Sequence, residues 1–182
     1  MSSIYGRNLF NTVLENSSSR SWHEAVLEWE IDDVIEDEYH EASCICGKEN
    51  IRYLYTIKNV INHQKLYPIG SSCIKKFDRK DLNELTTIKE KLFKLFHAIK
   101  ANEFIELNSV YFSRKLLEYL YDEGAFEPNK YNKFNGKNDF NFMLDMFNMR
   151  SKPSPNQSRK ITAIIMDSIK PYLVHMLNNR TK

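Results

Sequence analysis

The chain reads as an α+β protein: a small antiparallel sheet with a cysteine unit over residues 1–78, then a helical region of about four helices over residues 79–182. Three observations predict it. Before residue 70, apolar residues alternate with polar ones in three short runs, the period of strands buried on one face. Beyond residue 79 the apolar residues recur every three or four positions, the period of amphipathic helices. Three cysteines bracket the second and third alternating runs, and an odd number suits free thiols or a metal site better than a disulfide framework.

Taken in order, Tyr5, Leu9, Phe10, Val13 and Leu14 give a short amphipathic helix that ends in the polar linker Asn16–Ser19. Leu27, Trp29 and Ile31 alternate with Glu28, Glu30 and Asp32, which predicts a strand with one acidic face. Ile51, Tyr53, Tyr55 and Ile57 form a second strand, Asn59 to Gln64 a turn, and Lys65 to Ile69 a third strand. Pro68 places that third strand at a sheet edge. Gly70-Ser71-Ser72 predicts a turn and a helix start leading into Cys73. Leu82, Leu85, Ile88, Leu92, Phe96 and Ile99 make the stripe of a long helix. Phe112, Leu116, Leu117 and Leu120 make that of a second helix, closed by Gly124. After a turn-rich stretch from Glu127 to Lys137, Phe140, Met143, Leu144 and Phe147 predict a third helix. Ser154-Pro155-Asn156-Gln157 is a capping box with proline at the first helical position, and a kink is expected near Pro171.

The formal net charge of +2 conceals a strong polarity. Residues 21–50 carry a local charge of −9, residues 51–100 carry +7, and residues 151–182 carry +5. Blocks of this kind form solvated faces, or they meet partners of opposite charge. The acidic block offers Glu28, Glu30, Asp32, Asp33, Glu36, Asp37 and Glu38 for docking on a cationic protein. The basic block offers Lys75, Lys76, Arg79, Lys80, Lys89, Lys91 and Lys94 for phosphates. Uninterrupted apolar runs reach only about four residues, too few for a membrane span, so no membrane role is expected. The N-terminus has no charged start followed by an apolar stretch, which points to a cytoplasmic protein.

Cys44-Ile45-Cys46-Gly47 and Cys73 outline a zinc-knuckle-like unit, two thiols in a turn and one at a helix start. Thiolates are soft, charged donors that suit zinc, and a helix N-terminus favours the Cys73 thiolate. His40 and His63 are the candidates for a fourth ligand. The alternative is three small apolar side chains buried between hairpin and helix.

Glu28-Trp29-Glu30, Cys44-Ile45-Cys46-Gly47, and Ile69-Gly70-Ser71-Ser72-Cys73-Ile74-Lys75-Lys76-Phe77, with Ile51, Ile57, Asn59 and Leu66 between, resemble a core found in small accessory proteins of phages and mobile elements. The resemblance covers residues 20–78. The related pattern often has histidine directly after C-x-C-G, where this chain has Lys48. In length and layout the whole chain is similar to a type II-A anti-CRISPR protein family whose members inhibit Cas9 by triggering truncation of its single-guide RNA. That resemblance implies a Cas9–guide RNA complex as partner, RNA as a second partner, and the cytoplasm of a bacterial host as the location.

Such an activity leaves two routes open: ribonuclease chemistry in this chain, or a trigger for cleavage by the target complex. A nuclease needs a base for the 2′-hydroxyl and an acid for the leaving group, and His40 and His63 are the candidates. Tyr53, Tyr55 and Tyr67 on the hairpin offer stacking rings, or simply a packed sheet. Beside the inhibitor reading stand a non-catalytic nucleic-acid-binding protein of a phage and an acidic protein that caps a cationic host protein.

Overall fold

In the computed structural model, which describes residues 3–180, the chain is α+β with a three-stranded antiparallel sheet near the N-terminus and helices after it. It divides into two compact units, residues 1–87 and 88–182. The division falls inside one long helix, nine residues beyond the end of the cysteine-bearing segment.

The first unit begins with α1 (Ile4–Glu15), capped by the Ser3 hydroxyl accepting from Gly6 N–H. Only Leu9 and Val13 of its apolar stripe are fully buried. A short α2 (Trp22–Ala25) runs through a 3-10 turn (Val26–Glu28) into β1 (Trp29–Glu36), with β2 (Tyr53–Asn59) and β3 (Lys65–Ile69) completing the sheet in the order β1-β2-β3. Pro68 therefore lies on an edge strand, where its missing N–H costs no ladder bond.

The register explains the core. Trp29 stands opposite Asn59 and Ile31 opposite Ile57, but beyond a bulge Asp33 pairs with Thr56 and Val34 with Tyr55. One extra residue in β1 moves its inward positions from odd to even numbers, so Trp29 and Val34 are both buried. On β2, Tyr55, Ile57 and Asn59 face inward together and are fully buried. Trp29 anchors this core, and its indole N–H donates to the Ser17 hydroxyl at 2.8 Å. Phe10, Trp22 and Phe77 close one side, with Phe10 stacked on Trp22 and Trp22 edge-on to Phe77.

The strand expected from Leu27 begins two residues later, at Trp29. Residues 26–28 wind into the 3-10 turn, which leaves Leu27 65% exposed and turns Glu28 inward at 5%. The helix expected after Gly70 is one turn, α3 (Ser71–Ile74), followed by a 3-10 turn (Lys75–Phe77).

The long α4 (Lys80–Lys100) leads into the second unit. There, α5 (Arg114–Asp122) is capped by Ser113 and ends at Gly124, whose φ of +84° fits the left-handed cap. Next, α6 (Gly136–Asn148) packs Phe140 against Tyr121 and Phe126. The Ser154–Gln157 capping box opens α7 (Pro155–Ile164), in which the Gln157 carbonyl accepts from Ser154 N–H at 2.8 Å. The helix then widens into a π segment (Ile165–Ile169) and continues as α8 (Lys170–Arg180). Pro171, near which a kink is expected, stands in the first turn of α8, directly after the π segment. No described helix is long and apolar enough to cross a membrane.

Candidate metal centre and the cationic pocket beside it

Cys44, Cys46 and Cys73 converge. Their sulfurs all lie within 4.8 Å of one another, Cys44 Sγ and Cys73 Sγ at 3.7 Å and Cys73 Sγ and Cys46 Sγ at 3.4 Å. All three side chains are buried, and none is in a disulfide.

Local hydrogen bonds set this geometry. Cys44 N–H donates to Lys48 O, and Gly47 N–H to Cys44 O, both at 2.8 Å, which folds residues 44–48 into a tight turn. Gly47 has a φ of +90°, so glycine carries the turn. Ile45 N–H donates to Pro68 O at 2.9 Å and ties the turn to β3. From α1, the Asn8 side-chain amide donates to Cys46 O at 3.0 Å.

The sulfurs are not equivalent. The Cys44 thiol is held down to about 5, first through its hydrogen bond with Cys73. Burial opposes this, but N–H groups of Cys46 and Gly70 also point at the sulfur, Gly70 N at 3.3 Å. Cys73 is pushed up, chiefly through its hydrogen bond with Cys44 and also because it is buried. One turn of α3 supplies little dipole, and the converging donors are on Cys44.

In a tetrahedral zinc–thiolate site with Zn–S near 2.3 Å, sulfurs stand about 3.8 Å apart. The observed spacings fit three corners of such a site. The fourth corner comes from neither expected histidine, since the group of ligand atoms contains the three cysteines alone. His63 sits in the β2–β3 turn, at the other end of a seven-residue strand, about 20 Å long, from the cysteines. His40 is exposed, with a φ of +56°, on a loop that Asp37 organises by accepting from the N–H groups of Tyr39, Glu41 and Ala42. The structure does not bring the two histidines together.

Beside the cysteines opens a shallow pocket of about 310 Å³. Lys48, Arg52 and Lys75 line it with Tyr53, Ser71 and Ser72. Lys48 and Lys75 each follow a cluster cysteine by two residues, so the cluster fixes both walls. Arg52 is paired with Glu36 at 2.6 Å, whereas Lys48 and Lys75 are exposed and have no ion-pair partner among the described residues. Lys48 and Arg52 were not among the expected RNA-binding residues, because they lie outside the dense basic run that the sequence displays.

The expected basic residues separate into two kinds. Lys75, Lys76, Lys80 and Lys94 are exposed, with Lys80 3.8 Å from Glu84. Arg79 is structural. Its guanidinium donates to Val26 O at 3.0 Å and Trp29 O at 2.5 Å, and pairs with Asp81 at 2.6 Å. Lys91 donates to Ser109 O at 2.7 Å, and Lys89 lies over the Tyr119 ring and donates to its hydroxyl at 3.1 Å. Of the hairpin tyrosines, Tyr55 is core, its hydroxyl donating to Thr86 O, and Tyr53 is half-buried beside Arg52. Only Tyr67 is exposed.

The acidic ridge is largely consumed inside the unit. The Glu28 carboxylate is buried, Glu36 pairs with Arg52, Asp37 holds its own loop, and Asp32 meets Lys65 at 2.7 Å. Glu30 stands opposite Lys58, and Asp33 and Glu38 are exposed. Alternation alone could not show this, because the partners arrive from residues 52–65 and from backbone N–H groups.

Compared with known proteins, the chain matches no protein-family model, no curated protein and no solved structure.

Proposed function

We propose that the chain inhibits a type II-A Cas9 by engaging the Cas9–guide RNA complex and causing truncation of the single-guide RNA, with Cys44, Cys46 and Cys73 holding a structural zinc ion. The observation that carries this reading is the pocket of Lys48, Lys75, Ser71 and Ser72, built on the segment that bears the resemblance. Free ammonium groups and hydroxyls on a fixed frame suit phosphate oxygens, and such contacts hold an RNA backbone without reading its sequence. Bound at the three sulfurs, zinc would supply a covalent-strength clasp between the 44–48 turn and α3, which keeps the two walls of the pocket in place.

Within this reading the chain is the trigger and the target complex performs the cleavage. The support is the separation of His40 and His63, which stand on different loops at opposite ends of the sheet. The test is a denaturing gel of labelled single-guide RNA incubated with Cas9, with this protein, and with both. Shortened guide only in the complete mixture is expected. Full-length guide in all three lanes overturns the proposal, and shortening without Cas9 would make the chain itself a ribonuclease.

A further inference from the structure

Tyr131 and Phe134, 82% and 74% exposed, stand on a loop of the second unit that is fixed from within. Asn132 is its hub, buried at 2%. The Asn132 amide donates to Glu127 O at 2.8 Å and to the Asp139 carboxylate at 2.9 Å, while its carbonyl accepts from the N–H groups of Asn129 and Asn135. Buried Asp139 in turn lies 3.5 Å from the Lys160 ammonium of α7. Lys133 and Phe134 are consecutive left-handed residues, with φ of +57° and +56°. A bulky aromatic residue rarely adopts that conformation. A loop held this firmly, with its largest apolar side chains in water, is shaped for a partner rather than for its own packing.

The surrounding charge selects the partner. Lys130, Lys133 and Lys137 are exposed, and Glu127 is the one acid among residues 127–138. The Lys130 ammonium sits 4.9 Å from the centre of the Tyr131 ring, on one face, which leaves the other face for a flat ligand. Rings that accept any base, interleaved with cations that hold the backbone, are the pattern of single-strand recognition. An acidic peptide would meet the lysines and leave the rings in water. A single strand supplies a planar face for each ring and a phosphate for each ammonium. The pre-formed loop also loses little conformational freedom on binding.

We infer that the loop of residues 127–137 is a contact site for single-stranded RNA, with bases stacked on Tyr131 and Phe134 and phosphates on Lys130, Lys133 and Lys137. This deepens the reading of the chain as one that engages RNA and rests on it.

The test uses the full-length protein without Cas9 and a fluorescein-labelled twelve-nucleotide oligouridylate, read by anisotropy across a range of salt concentrations. Replacing both rings (Tyr131→Ala with Phe134→Ala) should weaken binding by roughly tenfold or more. Changing the three lysines to Gln should lower the salt slope by about 2. Because all five side chains are exposed, thermal melting should be unchanged and serves as the control. Absent binding by the wild-type protein at low salt, or affinity that survives the ring replacements, overturns the inference. So does an equal effect of those replacements on a blunt duplex. Guide truncation is scored in parallel. Truncation with ring-independent oligonucleotide binding defeats the loop alone, whereas ring-dependent binding without truncation defeats the Cas9 reading and leaves the loop standing.

Discussion

The Asn59 side-chain amide donates to the Glu28 carboxylate at 2.7 Å, with both groups buried. The same carboxylate accepts from the N–H groups of Ser18 and Ser19, each at 2.7 Å, so it locks the segment after α1 to the end of β2. Burial works to raise this carboxyl, but the donors of Asn59, Ser18 and Ser19 outweigh it and hold it below the usual range. A lowered folded-state pKa contributes stability that is present above the unfolded value, near 4.3, and lost as pH falls through the folded one. Glu28→Gln should cost about 1.5–3 kcal/mol at pH 7, the range for a hydrogen bond to a charged group. It should also flatten the decline of Tm as pH falls below the unfolded value. Equal acid sensitivity in the two proteins would contradict this assignment.

Zinc should be present at about one ion per chain. Removing it with a chelator should lower the stability of the wild-type protein by roughly 4 kcal/mol where free metal is a thousandfold above its Kd. Cys73→Ser should hold less metal and lose its response to the chelator. Well under one zinc per chain by elemental analysis would leave the three cysteines as core side chains.

Arg79 and Lys75 are neighbours in the basic run but differ in role. Arg79→Ala leaves the carbonyls of Val26 and Trp29 without their donor and should cost about 2–4 kcal/mol. Arg79→Lys should restore only part of that loss, because an ammonium cannot reproduce the guanidinium fork. Lys75→Glu with Lys76→Glu should shift stability by no more than about 0.5 kcal/mol and weaken RNA engagement. Melting curves and guide binding of the three variants separate these effects.

A methyl group on Gly136 would collide with Phe126 O, a backbone atom that cannot turn aside. Gly136→Ala should therefore destabilise the second unit by about 3 kcal/mol, through overpacking at the start of α6. Near-wild-type melting would mean that the α6 start can move away from Phe126.

Most elements were legible because each rests on one local signal. The Ser154–Gln157 box, the Gly124 cap and Pro68 on an edge strand all stand where the residues predict them. The misread positions depend on a change of period that composition hides. Alternation through Leu27, Trp29 and Ile31 assumes strand geometry from the start, but the 3-10 turn rotates Glu28 inward. Asp32 and Asp33 are two acids in a row, and nothing in that pair marks which is the extra residue of the bulge. The convergence of the cysteines was legible from their bracketing of the hairpin. The absence of both histidines from that cluster was not, because it depends on loop paths rather than on spacing.

The π segment bears on how the last helix keeps its phase. Ile161, Ile165, Ile169 and Leu173 are buried and stand four residues apart. In an unbroken α-helix each such step overshoots a full turn by about 40°, so Leu173 would face roughly 120° away from Ile161. Eleven residues would bring it back to within about 20°. The widened turn at Ile165–Ile169 absorbs the twelfth. The helix thus carries a surplus residue, and a one-residue deletion between Ile165 and Ile169 would restore regular α-helical turns without moving its core-facing side.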